Sequence, residues 1–186
     1  MRAFLAFEAS SLGRHGFPVE VAWVFESGSE ESHLIRPASG WTKGGPAVHL
    51  PREIFGDKRG IDGKPAETVG RRLVDQLGDH EVFASDPSWD GKWLSLLLRS
   101  AGLPCRAMRL VDADIALLEL ASAILAESLP SADITRAARR ILSGASARFA
   151  ASAPAHRALP DARTERERWL AVSELAHAFR LQAELR

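Results

Sequence analysis

The sequence predicts an α/β fold with a five-stranded mixed sheet and a helical C-terminal third. Two observations support this prediction. In the first third of the chain, apolar residues occur in short runs or at alternate positions, between turns rich in Gly and Pro. From Pro65 onward most apolar residues recur with a helical period, which only two short strand-like runs interrupt. The expected order is three strands, a helix, a strand, a helix, a strand and then helices.

Local signals place the individual elements. Asp86 and Pro87 supply an N-cap and a first-turn proline for a helix whose buried stripe includes Trp89 and Trp93. Residues 37–64 are rich in Gly and Pro and have no clear period, so we expect a long loop there. The predicted strands are residues 4–8, 18–25, 33–36, 81–85 and 105–111. The predicted helices are 65–78, a segment between Asp86 and Gly102, 115–129, 131–149 and a last helix from about Pro160.

Length and composition predict one domain over residues 1–186, long enough to bury a proper core. No run of about 18 apolar residues is present, so we expect no membrane-spanning segment. The N-terminus is too polar for a signal peptide, which makes a cytoplasmic location the default expectation. Cys105 is the sole cysteine, which excludes an intramolecular disulfide and a Cys-based metal site.

The formal net charge is zero, which argues against a protein that coats nucleic acid through bulk electrostatics. The charge is unevenly distributed, because ten Arg and five acidic residues occur from Arg136 onward. This basic region would steer a polyanion toward a site, or it is simply the solvated face of Arg-rich helices. The second interpretation is the simpler one.

Three polar motifs point to chemistry. Glu8 ends a strand-like run in which residue 6, on the same face, is Ala. Asp90 lies in the first turns of a predicted helix, in Trp89-Asp90-Gly91-Lys92-Trp93-Leu94, where the helix dipole alone would also favour an acid. His156 precedes Asp161 by five residues, and Pro154 and Pro160 predict a loop for the His and a first helical turn for the Asp.

Together these motifs resemble the DEDDh family of 3′→5′ exonucleases, from about residue 3 to residue 175. The family motifs are Asp-x-Glu, aromatic-Asp-x-x-aromatic-Leu and His followed by Asp after four residues. The resemblance implies a ribonuclease H-like three-layer α/β/α fold. It also implies two Mg²⁺ or Mn²⁺ ions, since carboxylate oxygens select these hard cations.

The resemblance further assigns roles to residues. Glu8, Asp90 and Asp161 would hold the metals, and His156 would be the general base that activates the attacking water. Ser10, Ser11 and Leu12 would approach the terminal nucleotide of a single-stranded DNA or RNA 3′ end. Trp89 or Trp93 would offer a face for base stacking, with core packing expected for at least one of them. Relatives are often dimers, which leaves a homodimer open.

Ala6 departs from the family pattern, because the family has the metal-bridging Asp at that position. A second departure is Val48-His49-Leu50-Pro51, where relatives commonly have Ile-His-Gly-Ile. Ala6 fits an engineered inactivating substitution and, about equally, a natural lineage that lost catalysis and kept binding. The expected function is therefore a metal-dependent 3′→5′ exonuclease impaired by Ala6. The alternatives are an inactive domain that binds nucleic acid or a protein partner and, less strongly, a structural domain.

Overall fold

One six-stranded sheet forms the centre of the molecule. The computed structural model describes residues 1–41, 63–149 and 157–184. Within these ranges the strands are β1 (Arg2–Ala9), β2 (Pro18–Phe25), β3 (Glu30–Arg36), β4 (Lys64–Pro65), β5 (Glu81–Ala84) and β6 (Leu110–Asp112). Their order across the sheet is β4-β3-β2-β1-β5-β6. β1 pairs antiparallel with β2 and parallel with β5, so it lies between an antiparallel and a parallel neighbour.

Helices cover both faces of the sheet. They are α1 (Ala66–Leu77), α2 (Pro87–Ser100), α3 (Ala113–Leu125), α4 (Ser131–Phe149) and α5 (Ala158–Glu184). Alternate residues of β1 point to opposite faces. Leu5 therefore packs in the layer of α1 and α2, whereas Phe4 packs against Phe83 and Trp169 in the layer of α3, α4 and α5. The Phe83 and Trp169 rings stack with centroids 5.1 Å apart.

Three sequence predictions need correction. The sheet has six strands rather than five, because the two-residue β4 pairs with Ile35 and Arg36 at the end of β3. The strand expected over 105–111 begins only at Leu110, since Pro104 is followed by a single turn of 3₁₀ helix, Cys105–Ala107. Trp89 is only half-buried, whereas Trp93 is fully buried. Most of the expected 37–64 loop lies outside the described residues.

The helix boundaries follow from the expected capping residues. The Asp86 carboxylate accepts hydrogen bonds from the backbone N–H groups of Ser88 and Trp89, which satisfies two unpaired donors at the start of α2. α5 begins at Ala158, so Asp161 lies in its first turn. Among the described residues, no helix is both long and apolar enough to cross a membrane.

The close packing of α1 on α2 gives a test of the fold. A Cβ at Gly70 would lie 2.8 Å from the Leu97 carbonyl oxygen and 3.0 Å from the Ala101 Cβ, whereas a Cβ at Gly144 in α4 would meet open space. We expect Gly70→Ala to lower the free energy of unfolding by about 1–3 kcal/mol through overpacking. Gly144→Ala should raise it by about 0.5–1 kcal/mol through helix propensity. Urea denaturation measures both, and a Gly70→Ala protein as stable as Gly144→Ala would contradict this packing.

Candidate functional site at the end of β1

Glu8 lies at the carboxyl end of β1. Two residues before it, where the family motif has a second carboxylate, the chain has the methyl group of Ala6. Ala6 and Glu8 share one face of the strand. Ala6 is 7% exposed and packs in a small apolar cluster between the sheet and α5. The other members of this cluster are Ala22, Val24, Ala158, Ala162 and, at its edge, Leu159. Position 6 is therefore apolar in its surroundings as well as in its side chain.

Asp90 is a buried acid held against this end of β1. Its side chain is enclosed although it lies in the first turns of α2. Burial raises the pKa of Asp90 to about 7, and the negative charges of Asp86 and Glu8 act in the same direction. Backbone hydrogen bonds with Asp86 and Phe7 act in the opposite direction. Glu8 and Asp90 are thus close enough to repel one another.

Asp161 lies in the first turn of α5, as predicted, and is exposed. Its neighbour Ala162 packs in the same cluster as Ala6, which places this turn over the end of β1. Asp161 also contributes to the raised pKa of the buried Glu165 carboxyl, although burial is the main cause. His156 lies outside the described residues, so its predicted role stays a prediction.

A complete set of metal ligands is not present among the described residues. Glu8, Asp90 and Asp161 have the oxygen ligands that Mg²⁺ and Mn²⁺ prefer. However, no three His, Cys, Asp or Glu side chains within residues 1–41, 63–149 and 157–184 are grouped so that they could hold a metal ion. The methyl group of Ala6 explains part of this, because it occupies the position of the expected bridging ligand.

A second buried acid, Glu20, lies beside Glu8 and was not predicted from the sequence. It is 1% exposed and is the direct register partner of Glu8 across the β1–β2 pair. The guanidinium of Arg157, which precedes α5, bonds to its carboxylate. Hydrogen bonding to Glu20 is the main reason that the pKa of Arg157 is raised, and the negative charges of Glu20 and Glu8 raise this pKa further.

The predicted nucleotide-binding residues lie on the loop that joins β1 to β2. Ser10 closes this loop, because its N–H donates to the Phe17 carbonyl at 2.9 Å and its hydroxyl accepts from the Phe17 N–H at 3.2 Å. Ser11 and Leu12 are exposed, Leu12 to 66%. A large exposed apolar side chain on a polar loop is available to contact a ligand.

An aromatic and basic face of α2 supports that loop. Trp89 and Trp93 stack with centroids 5.8 Å apart. The Lys92 ammonium lies 4.3 Å from the Trp93 ring centroid and 5.1 Å from that of Trp89, and it donates to the Gly13 carbonyl at 2.9 Å. Trp89 is thus the more exposed of the two rings, whereas Trp93 belongs to the core. Lys92 was not singled out by the sequence.

The order and packing of the elements give the ribonuclease H-like α/β/α fold with a helical C-terminal part that the sequence predicts. The structure of E. coli Exonuclease I in complex with a dT13 oligonucleotide is similar over 99% of this chain, with a TM-score of 0.62 and 16% identity. The same enzyme with a dA16 oligonucleotide is similar over 96%, with a TM-score of 0.59 and 14% identity. A zinc-bound form of its complex with single-stranded DNA is similar over 97% of this chain, with a TM-score of 0.53 and 13% identity.

The similarity covers less than half of the Exonuclease I chain. The chain spans 43%, 42% and 40% of the three Exonuclease I chains, respectively. No protein-family model matches the sequence, and no curated protein matches it. At these identities the likeness shows the fold.

The raised pKa of Asp90 predicts how stability depends on pH. Between about pH 4 and 7 the folded state holds a proton that the unfolded state has lost, so the free energy of unfolding falls as pH rises through this window. Asp90→Asn removes the titrating group. We expect this variant to be more stable than the parent at pH 8 by about 2–4 kcal/mol, and similar to it at pH 4. Urea denaturation in EDTA measures the difference, and parallel pH curves for the two proteins would refute the assignment.

Proposed function

We propose that this chain is a single exonuclease-like domain that binds 3′ ends of single-stranded DNA or RNA and is a metal-dependent 3′→5′ exonuclease impaired by Ala6. The main support is the pairing of Glu8 with the buried Asp90 beside the Ser10–Phe17 loop, on a fold shared with an enzyme crystallised with oligonucleotides. Phosphodiester hydrolysis by inline attack is the reaction class.

The described residues account for binding and positioning. Leu12 and the exposed part of the Trp89 ring offer apolar surface to the terminal bases, and base stacking on an aromatic ring does not depend on sequence. Lys92 fixes the loop and adds positive charge. His156 would take the proton of the attacking water, as the family resemblance implies. The raised pKa of Asp90, about 7, favours retention of its proton as the pH falls below neutrality.

Restoring the missing carboxylate tests the proposal. Ala6→Asp would place a ligand next to Glu8 and near the first turn of α5, where a helix N-terminus favours negative charge. We expect Ala6→Asp to release 3′ nucleotides with Mg²⁺ or Mn²⁺ at least about 100-fold faster than the parent, since metal stabilisation of the transition state amounts to several kcal/mol. End-labelled DNA and RNA oligonucleotides measure the release.

Ala6→Asn is the matched control, because the amide has nearly the size of the carboxylate and lacks its charge. It should remain as slow as the parent. If Ala6→Asp and Ala6→Asn are equally inactive on both nucleic acids, the nuclease proposal fails.

A second candidate is a catalytically inactive domain that binds nucleic acid or a protein partner. The apolar surroundings of Ala6 and the lack of a three-ligand group among the described residues favour it. Such a domain would bind oligonucleotides in EDTA as well as in Mg²⁺.

We expect the parent chain to bind a fluorescein-labelled dT13 in EDTA. If the chain recognises a free end, it should bind a circular single strand more weakly. Fluorescence anisotropy measures both. Equal affinity for linear and circular DNA would argue against recognition of an end, and loss of binding in EDTA would argue against a metal-independent binding domain.

A further inference from the structure

The ion pair between Glu20 and Arg157 is built differently from the other ion pairs of α5. Every residue of β2 up to Val24 is buried, Glu20 included. A carboxylate removed from water in this way needs a counter-charge and hydrogen bonds to remain ionised. The partner comes from a residue 137 positions later in the chain.

Arg157 contacts this carboxylate with one edge of its guanidinium. Its Nε donates to the two carboxylate oxygens at 3.1 and 3.0 Å, and its Nη2 donates to Oε1 at 2.9 Å. The Ala158 N–H donates to Oε2 at 3.1 Å, which ties the start of α5 to the same group. The guanidinium is therefore fixed in position before any ligand binds.

The other edge of the guanidinium is available at the candidate site. Nη1 takes no part in these bonds, and 45% of the Arg157 side chain is exposed, against 1% of Glu20. Register partners in an antiparallel pair point to the same side of the sheet, so the group that Arg157 binds lies beside Glu8. The exposed edge thus lies next to the predicted catalytic acid.

We propose that Arg157 binds a backbone phosphate of single-stranded nucleic acid and that Glu20 positions its guanidinium for this purpose. The inference rests on the proposed nucleic-acid binding. The carboxylate of Glu8 repels a phosphodiester, and an immobile cation beside it offsets that repulsion without a metal. The planar fork of Arg also matches the geometry of phosphate oxygens.

Arg163 provides a matched control. It lies on α5, which Arg157 directly precedes, has the same charge and pairs with Glu30 of β3. That carboxylate is partly exposed, unlike Glu20. Arg163→Gln therefore removes one positive charge from α5 without touching the Glu20 group. A contribution of bulk charge would affect both Arg variants alike, whereas a phosphate contact would affect Arg157 alone.

The experiment is the affinity of the parent, Arg157→Gln and Arg163→Gln for fluorescein-labelled dT13, measured by anisotropy in EDTA over a series of salt concentrations. We expect Arg157→Gln to weaken binding about 5- to 10-fold and to reduce the slope of log K against log salt by about 0.7, the value for one phosphate contact on a single strand. Arg163→Gln should change the slope little. Glu20→Gln should weaken binding with the slope retained, because the charge remains but is no longer fixed.

The outcomes separate the inference from the proposed function. Equal effects of Arg157→Gln and Arg163→Gln overturn the inference and leave nucleic-acid binding intact. A parent chain that does not bind dT13 overturns both. Thermal melting checks that each variant folds. If Arg157→Gln does not fold, the same measurement is made on Arg157→Lys, which keeps the positive charge and loses the planar guanidinium. An affinity of Arg157→Lys equal to that of the parent would refute the proposal.

Discussion

The burial of the central strands on both faces is the constraint on which the arrangement of this molecule depends. β1 pairs on both edges and packs against helices on both sides, so polar side chains on it are tolerated only at its two ends. Glu8 lies at the carboxyl end, and α2 and α5 begin nearby. The position of the candidate site is thus a consequence of how the core is built.

Charge at this end of the sheet is balanced by pairing inside the chain. Glu20 is neutralised by Arg157, whereas Asp90 pairs with no cation among the residues that the structure describes, and burial raises its pKa. The two buried acids show the two ways in which a protein accommodates a carboxyl group away from water: an ion pair or a retained proton. The first keeps a fixed geometry, and the second makes the site sensitive to pH near neutrality.

The periodic parts of the fold could be predicted from the sequence, and the parts that depend on distant contacts could not. Alternation located β2, and Asp86 with Pro87 located the start of α2, because these signals are local. β4 was missed because two residues have no period, and it exists only through its pairing with β3.

The candidate site also has features that local sequence predicts and features that depend on distant contacts. The placement of Asp161 in the first turn of α5 followed from Pro160. Glu20 gave a visible signal, a charge inside a buried strand between Val19 and Val21, but nothing local identifies Arg157 as its partner. Whether Glu8, Asp90, Asp161 and His156 act together stays a prediction.

The alanines around position 6 have a consequence for where this chain can operate. A site with paired carboxylates stores electrostatic repulsion, and its folded state is stabilised when a cation is bound. With a methyl group there, packed against Ala22, Ala158 and Ala162, that part of the core holds together through apolar contact alone. The folded state of this protein should therefore depend less on bound divalent ions than that of a domain with paired carboxylates at this position.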